Sequence, residues 1–126
     1  MFKRIRTLTL LAALLVAAPA SAQDLQIDTG PICDTQRQAE RLAELFGEND
    51  QDSAIKIVNT EEKNPIACGV VTIAFFEGPR LETVRHKVTT FVVVKILVLG
   101  VLLPTGFEVG SPAVYFTVKK GKEKGA

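Results

Sequence analysis

The chain has 126 residues, with 15 basic and 14 acidic side chains, two cysteines, one histidine and no tryptophan. That length suits a single domain with a real core. The near-neutral balance gives no global attraction to nucleic acid, and the few aromatics poorly supply a stacking platform for bases or sugars.

Residues 1–22 read as a secretory signal peptide. Lys3, Arg4 and Arg6 form a positive start, Leu8 to Ala18 an apolar core, and Ala20-Ser21-Ala22 an A-x-A cleavage site. The mature chain is expected to begin at Gln23. An uncleaved N-terminal anchor is the competing reading. No cysteine follows the apolar core and no Arg-Arg pair precedes it, so neither a lipid anchor nor the twin-arginine route is indicated. Taking 22 residues from 126 leaves 104. Three of the 15 basic residues leave and none of the 14 acidic ones, so the remainder carries a net charge of −2. Residues 23–64 are net acidic and residues 65–126 net basic. This asymmetry is read as solvated faces before any partner-steering field.

Gln23 to Ile32 reads as a polar lead-in ending in the turn signature Thr29-Gly30-Pro31. A helix follows Cys33. Thr35 is its N-cap, and Gln38 three residues on completes a capping box. Ala39, Leu42, Ala43 and Phe46 form one buried stripe, with Arg37/Glu40 and Arg41/Glu44 as pairs on the exposed side. A second helix is expected from about Gln51 to Thr60, capped by Asn49 or Asp50. A short strand through Ile55 to Val58 is its alternative. Pro65 ends whatever precedes it.

Two cysteines in an exported chain predict one disulfide, Cys33 to Cys68. Two reduced thiols acting as a redox pair are the alternative, but no C-x-x-C occurs. One histidine and two cysteines lack the fourth ligand and the spacing of a zinc site, so no metal and no cofactor is expected.

Gly69 to Phe76 reads as a strand, Glu77-Gly78-Pro79-Arg80 as a turn, and Leu81 to Arg85 as a shorter edge strand. A turn at His86 to Thr89 leads to the most apolar stretch, Phe91 to Leu103, interrupted only by Lys95 and Gly100. It is too short for a spanning helix, which needs about 20 apolar residues. Its β-branched density makes it a strand buried on both faces. Pro104-Thr105-Gly106 closes it with a turn. Phe107 to Val109 is a brief strand, Gly110-Ser111-Pro112 breaks it, and Ala113 to Val118 is the last strand. Residues 119–126 form a basic tail expected to be disordered.

The architecture expected is α+β over residues 23–118. Two N-terminal helices pack on a four- or five-stranded antiparallel sheet, with a small SH3-like barrel as a variant. His86, between Arg85 and Lys87, has no sequence signature of a hydrolase around it.

Several short runs resemble a family of exported proteins. They are Cys33-Asp34-Thr35, Gln38-Ala39-Glu40-Arg41, the Cys68 strand with Ala74-Phe75, Ile96-Leu97-Val98, Gly100-Val101, and Pro104-x-Gly106. The family comprises small exported proteins of Gram-negative bacteria, alphaproteobacterial in type, of unknown function. The resemblance implies a periplasmic location and transfers no catalytic or binding residue. Two functional readings follow. One is a small non-catalytic periplasmic protein that binds another protein or a cell-envelope component. The other is a thiol-redox protein or hydrolase using Cys33, Cys68 or His86.

Overall fold

The computed structural model describes residues 24–121. The proposed signal peptide and residues 122–126 of the basic tail lie outside that range. The chain order is β1 (Gln26–Cys33), α1 (Gln36–Leu45), α2 (Gln51–Glu62), β2 (Cys68–His86), β3 (Thr89–Leu103) and β4 (Gly106–Lys120). The four strands are antiparallel and close into a barrel in the order β1-β2-β3-β4.

This overturns the expected α+β layout of two N-terminal helices on a four- or five-stranded sheet. A strand comes first, and both helices are an insertion between β1 and β2. The polar lead-in is itself that first strand. Its residues pair with β2 from Gln26 opposite Phe75 to Cys33 opposite Cys68. The Gly30-Pro31 step does not turn the chain, because the strand beside it holds it extended. The expected turn at Gly78-Pro79 and the expected break at Gly110-Ser111-Pro112 also lie inside continuous strands. Each is a bulge. Between Glu77 and Arg80 β2 advances three residues while β3 advances two, and β4 slips against β3 between Val98 and Gly100. A Cβ at Gly78 would lie 2.7 Å from the Lys95 carbonyl oxygen, so the bulge brings backbone against backbone there. β4 runs on through Lys119 and Lys120, which pair with Val92 and Phe91, so order extends past the expected limit at 118.

The apolar faces of β3 have different partners. Val92, Val94, Ile96 and Val98 fill the barrel with Ile73 and Phe75. Val93, on the other face, lies in a second cluster with Leu42, Ala43, Ala54 and Val58 of the helices. Burying each such valine, leucine or phenylalanine side chain contributes about 1.5–3 kcal/mol. Helix cover stops near this level. Lys95 and Leu97, farther along the same face, are exposed.

α1 starts with the capping box. The Gln38 N–H donates to Thr35 Oγ1 at 3.2 Å, and the Thr35 N–H donates to Gln38 Oε1 at 3.0 Å. α2 spans the segment where a strand was the alternative. Its N-cap is Asp50, whose Oδ1 accepts from the Ser53 N–H at 2.8 Å. It ends at Lys63 with φ of 56°, in the left-handed conformation of a helix C-cap. Arg41 joins the helices by donating from Nε and Nη2 to the two Glu61 oxygens at 3.0 and 2.9 Å. Arg41 also meets Glu44 at 3.2 Å, as its spacing predicts. Glu40 takes Gln36 rather than Arg37 as its partner, at 2.8 Å.

Candidate interaction surface

Cys33 and Cys68 form a disulfide between directly opposed residues of β1 and β2, with their Cα atoms 4.1 Å apart. They are 1% and 3% exposed, within the cluster that the helices cover. His86 is elsewhere, at the end of β2. Its Nε2 lies 3.3 Å from Glu48 Oε2, and its ring lies over Gly47. No group of three or more metal-ligating side chains occurs among the described residues. No helix among them is long and apolar enough to cross a membrane.

The barrel has one weak seam. β1 and β4 pair only at Ile32 with Thr117 and Cys33 with Phe116. Beyond these pairs they diverge and leave a cavity of about 100 Å³. Ile73, Phe75 and Ile96 line it from the barrel core, and Asp28 and Lys119 from the strand edges. Lys119 Nζ lies 2.6 Å from Glu77 Oε1, so this cation already has a partner.

The β1 side of the seam is poor in donors for a local reason. Asp34 donates its N–H to the Ala67 carbonyl at 3.0 Å. Antiparallel pairing alternates, so Cys33 and Pro31 sit at levels whose main-chain groups face away from β2. Pro31 therefore lacks an N–H on the seam side, and its carbonyl accepts from Thr117 Oγ1 at 2.6 Å. Thr29, next in the same direction, donates its N–H to its neighbour Asp28 Oδ1 at 2.8 Å. This edge offers little to an incoming strand.

The opposite character belongs to the far part of β3 and β4. From Ile96 to Val118 the only charged side chain is Glu108. Leu97, Leu102, Leu103, Phe107, Val109 and Val114 are all exposed, Val109 by 81%. The Phe107 ring lies 3.4 Å from where a Gly100 Cβ would stand, an aromatic lying over a glycine. Leu103 points to the opposite face from its neighbour Leu102, and the other five side chains together expose on the order of 450 Å², within the ~300–600 Å² range for the largest apolar patch of a monomer. Sequence reasoning missed this surface because it read Phe91 to Leu103 as buried throughout. The available signal was the lack of charge on both strands of one hairpin.

No protein-family profile, curated protein or solved structure matches the chain.

Proposed function

We propose that this is a small exported, non-catalytic binding protein of the periplasm, and that the β3–β4 arm is its contact surface. The observation that carries the reading is the exposed row Leu102, Phe107 and Val109 on an arm with one charge. The largest apolar patch on a folded domain is often its functional surface. Export rests on the tripartite leader over residues 1–22, and the disulfide suits an oxidising compartment. In this reading the Cys33–Cys68 bond is a staple. A redox or nucleophilic role would require the helices to lift from the sulfurs, which are buried.

The test is cross-linking and affinity capture from periplasmic extract with tagged exported protein, beside Val109→Lys. The expected result is a species enriched by the natural chain and lost with the variant. Equal recovery from both, or enrichment of nothing, overturns the reading. Intact-mass analysis of the exported chain is expected to place its first residue at Gln23.

A further inference from the structure

We propose that the cavity in the β1–β4 seam is a binding site for a small organic ammonium ion with an apolar body of about five carbons. This site is separate from the β3–β4 arm and does not depend on it.

The floor of the cavity is apolar. Ile73, Phe75 and Ile96 line it and are 3%, 5% and 2% exposed. The space above them is open because of Gly30. Gly30 stands opposite Val71, which packs on the barrel core, and opposed residues of an antiparallel pair share a face. A side chain at Gly30 would therefore point into the barrel, yet nothing lies within 4 Å of a built Cβ. A valine there would meet open space. Glycine inside a strand often marks a place where a ligand approaches closely. The volume left is about 100 Å³. An engineered apolar cavity of ~150 Å³ takes benzene, so a body of about five carbons is the right size.

The β1 side of the mouth offers acceptors and almost no donors. Pro31 has no N–H, and the Thr29 N–H is taken by Asp28 Oδ1 at 2.8 Å. Thr29 lies two residues from Pro31, so its carbonyl also faces away from β2, at a level where β4 does not pair with β1. Asp28 opposes Ile73 and so lies on the barrel-facing side, exposed at the open seam. No cation lies within 4 Å of its carboxylate among the described residues. Lys119 is held by Glu77 at 2.6 Å, so Asp28, Glu77 and Lys119 together carry a charge of −1.

An ammonium head supplies both things the mouth lacks, N–H donors and a positive charge. It binds the Asp28 carboxylate and the Thr29 carbonyl while its apolar body lies on Ile73, Phe75 and Ile96. A carboxylate ligand suits the mouth less. It would meet excess negative charge, and the one cation lining the cavity already has a partner.

Methyl NMR of the exported chain tests this with three probes of one body: isopentylammonium, isopentanol and isovalerate. The expected result is saturable shifts of the Ile73 and Ile96 methyls with isopentylammonium, at a Kd of about 1 mM. Isopentanol is expected to bind about fivefold more weakly, and isovalerate more weakly again. Asp28→Asn is expected to weaken isopentylammonium about fivefold and to leave isopentanol unchanged. The asparagine oxygen still accepts the Thr29 N–H, so the variant keeps the strand. Asp52→Asn, the same change in the first turn of α2, is expected to bind like the natural chain. Gly30→Val is expected to abolish the shifts with every probe, because its side chain takes the ligand's place. No saturable shift up to about 50 mM overturns the proposal. So does isopentanol or isovalerate binding as tightly as the ammonium, or G30V binding like the natural chain. D28N binding the ammonium undiminished overturns it, and so does an equal loss with D52N, since distant charge would then explain the preference.

Discussion

The side-chain amide of Asn59 takes the place of a missing strand beside Cys68. Its Oδ1 accepts the Cys68 N–H at 2.9 Å, and its Nδ2 donates to the Cys68 carbonyl at 3.1 Å. The same Nδ2 reaches the Pro65 carbonyl at 2.9 Å. One residue of α2 thus fixes the start of β2 and aims Cys68 at Cys33. Asn59→Ala leaves two main-chain groups of Cys68 without partners. The expected loss is about 1–3 kcal/mol, read as a lower urea midpoint. Asn59→Asp keeps the acceptor and loses the donor, so its midpoint is expected between the two.

The disulfide closes a loop over a sequence separation of 35 residues. Chain-entropy reasoning gives about 3–4 kcal/mol for a loop of this size. The double variant Cys33→Ala/Cys68→Ala is expected to lose at least that, since both sites are buried and small cavities add to the loss. Denaturant unfolding with and without reductant checks it. Equal midpoints in the two conditions would contradict a structural role.

At Gly78 no side chain fits without moving main chain, because the Lys95 carbonyl oxygen is 2.7 Å from a built Cβ. Gly78→Ala is expected to cost about 1–3 kcal/mol as an overpacked site. Gly30→Ala, where nothing lies within 4 Å of a built Cβ, is the comparison and is expected to cost less. Thermal unfolding of both variants reads the difference.

Gly47 and His86 are coupled by contact. A Cβ on Gly47 would stand 2.2 Å from the His86 ring. Gly47→Ala therefore displaces the ring and its contact with Glu48. In a double-mutant cycle with His86→Ala the two changes are expected to be non-additive, with the alanine at 47 better tolerated once the ring is gone. Strict additivity would show that the ring does not rest there in solution.

Acid sensitivity is expected from the helices. Hydrogen bonds from Ser53, side chain first and then backbone, lower the Asp50 pKa, and hydrogen bonding from Arg41 lowers that of Glu61. Both carboxylates have folded values below their unfolded ones. Their stabilisation is fully present above the unfolded values, near pH 4, and is lost as pH falls through the folded values. Asp50→Asn and Glu61→Gln should each flatten the acid limb of stability, losing their contribution at pH 7 and changing little at low pH, where the natural carboxylates are protonated. Both groups are exposed, so the effect is small.

Local grammar was legible and long-range geometry was not. Thr35 and Gln38 announce a helix start because both partners of the capping box lie within four residues. Asp50 does the same for α2. The cysteine count gave the bond, but its placement between opposed strand residues needed the register of β1 on β2. Gly30-Pro31, Gly78-Pro79 and Gly110-Ser111-Pro112 all carry turn chemistry, and none of them reverses the chain. A neighbouring strand supplies the main-chain partners that keep each extended, and that neighbour is distant in sequence. The contact surface escaped for the same reason. Parity along β3 shows that both faces are apolar, but only the reach of the inserted helices decides that Val93 is covered and Leu97 is not.

The donor-poor edge at Pro31 and Thr29 has a consequence for aggregation. This open stave of the barrel presents a ring nitrogen with no proton and an amide already occupied by its own neighbour. A foreign strand laid against these two residues finds no donor, which is how a proline on an exposed edge discourages pairing between chains.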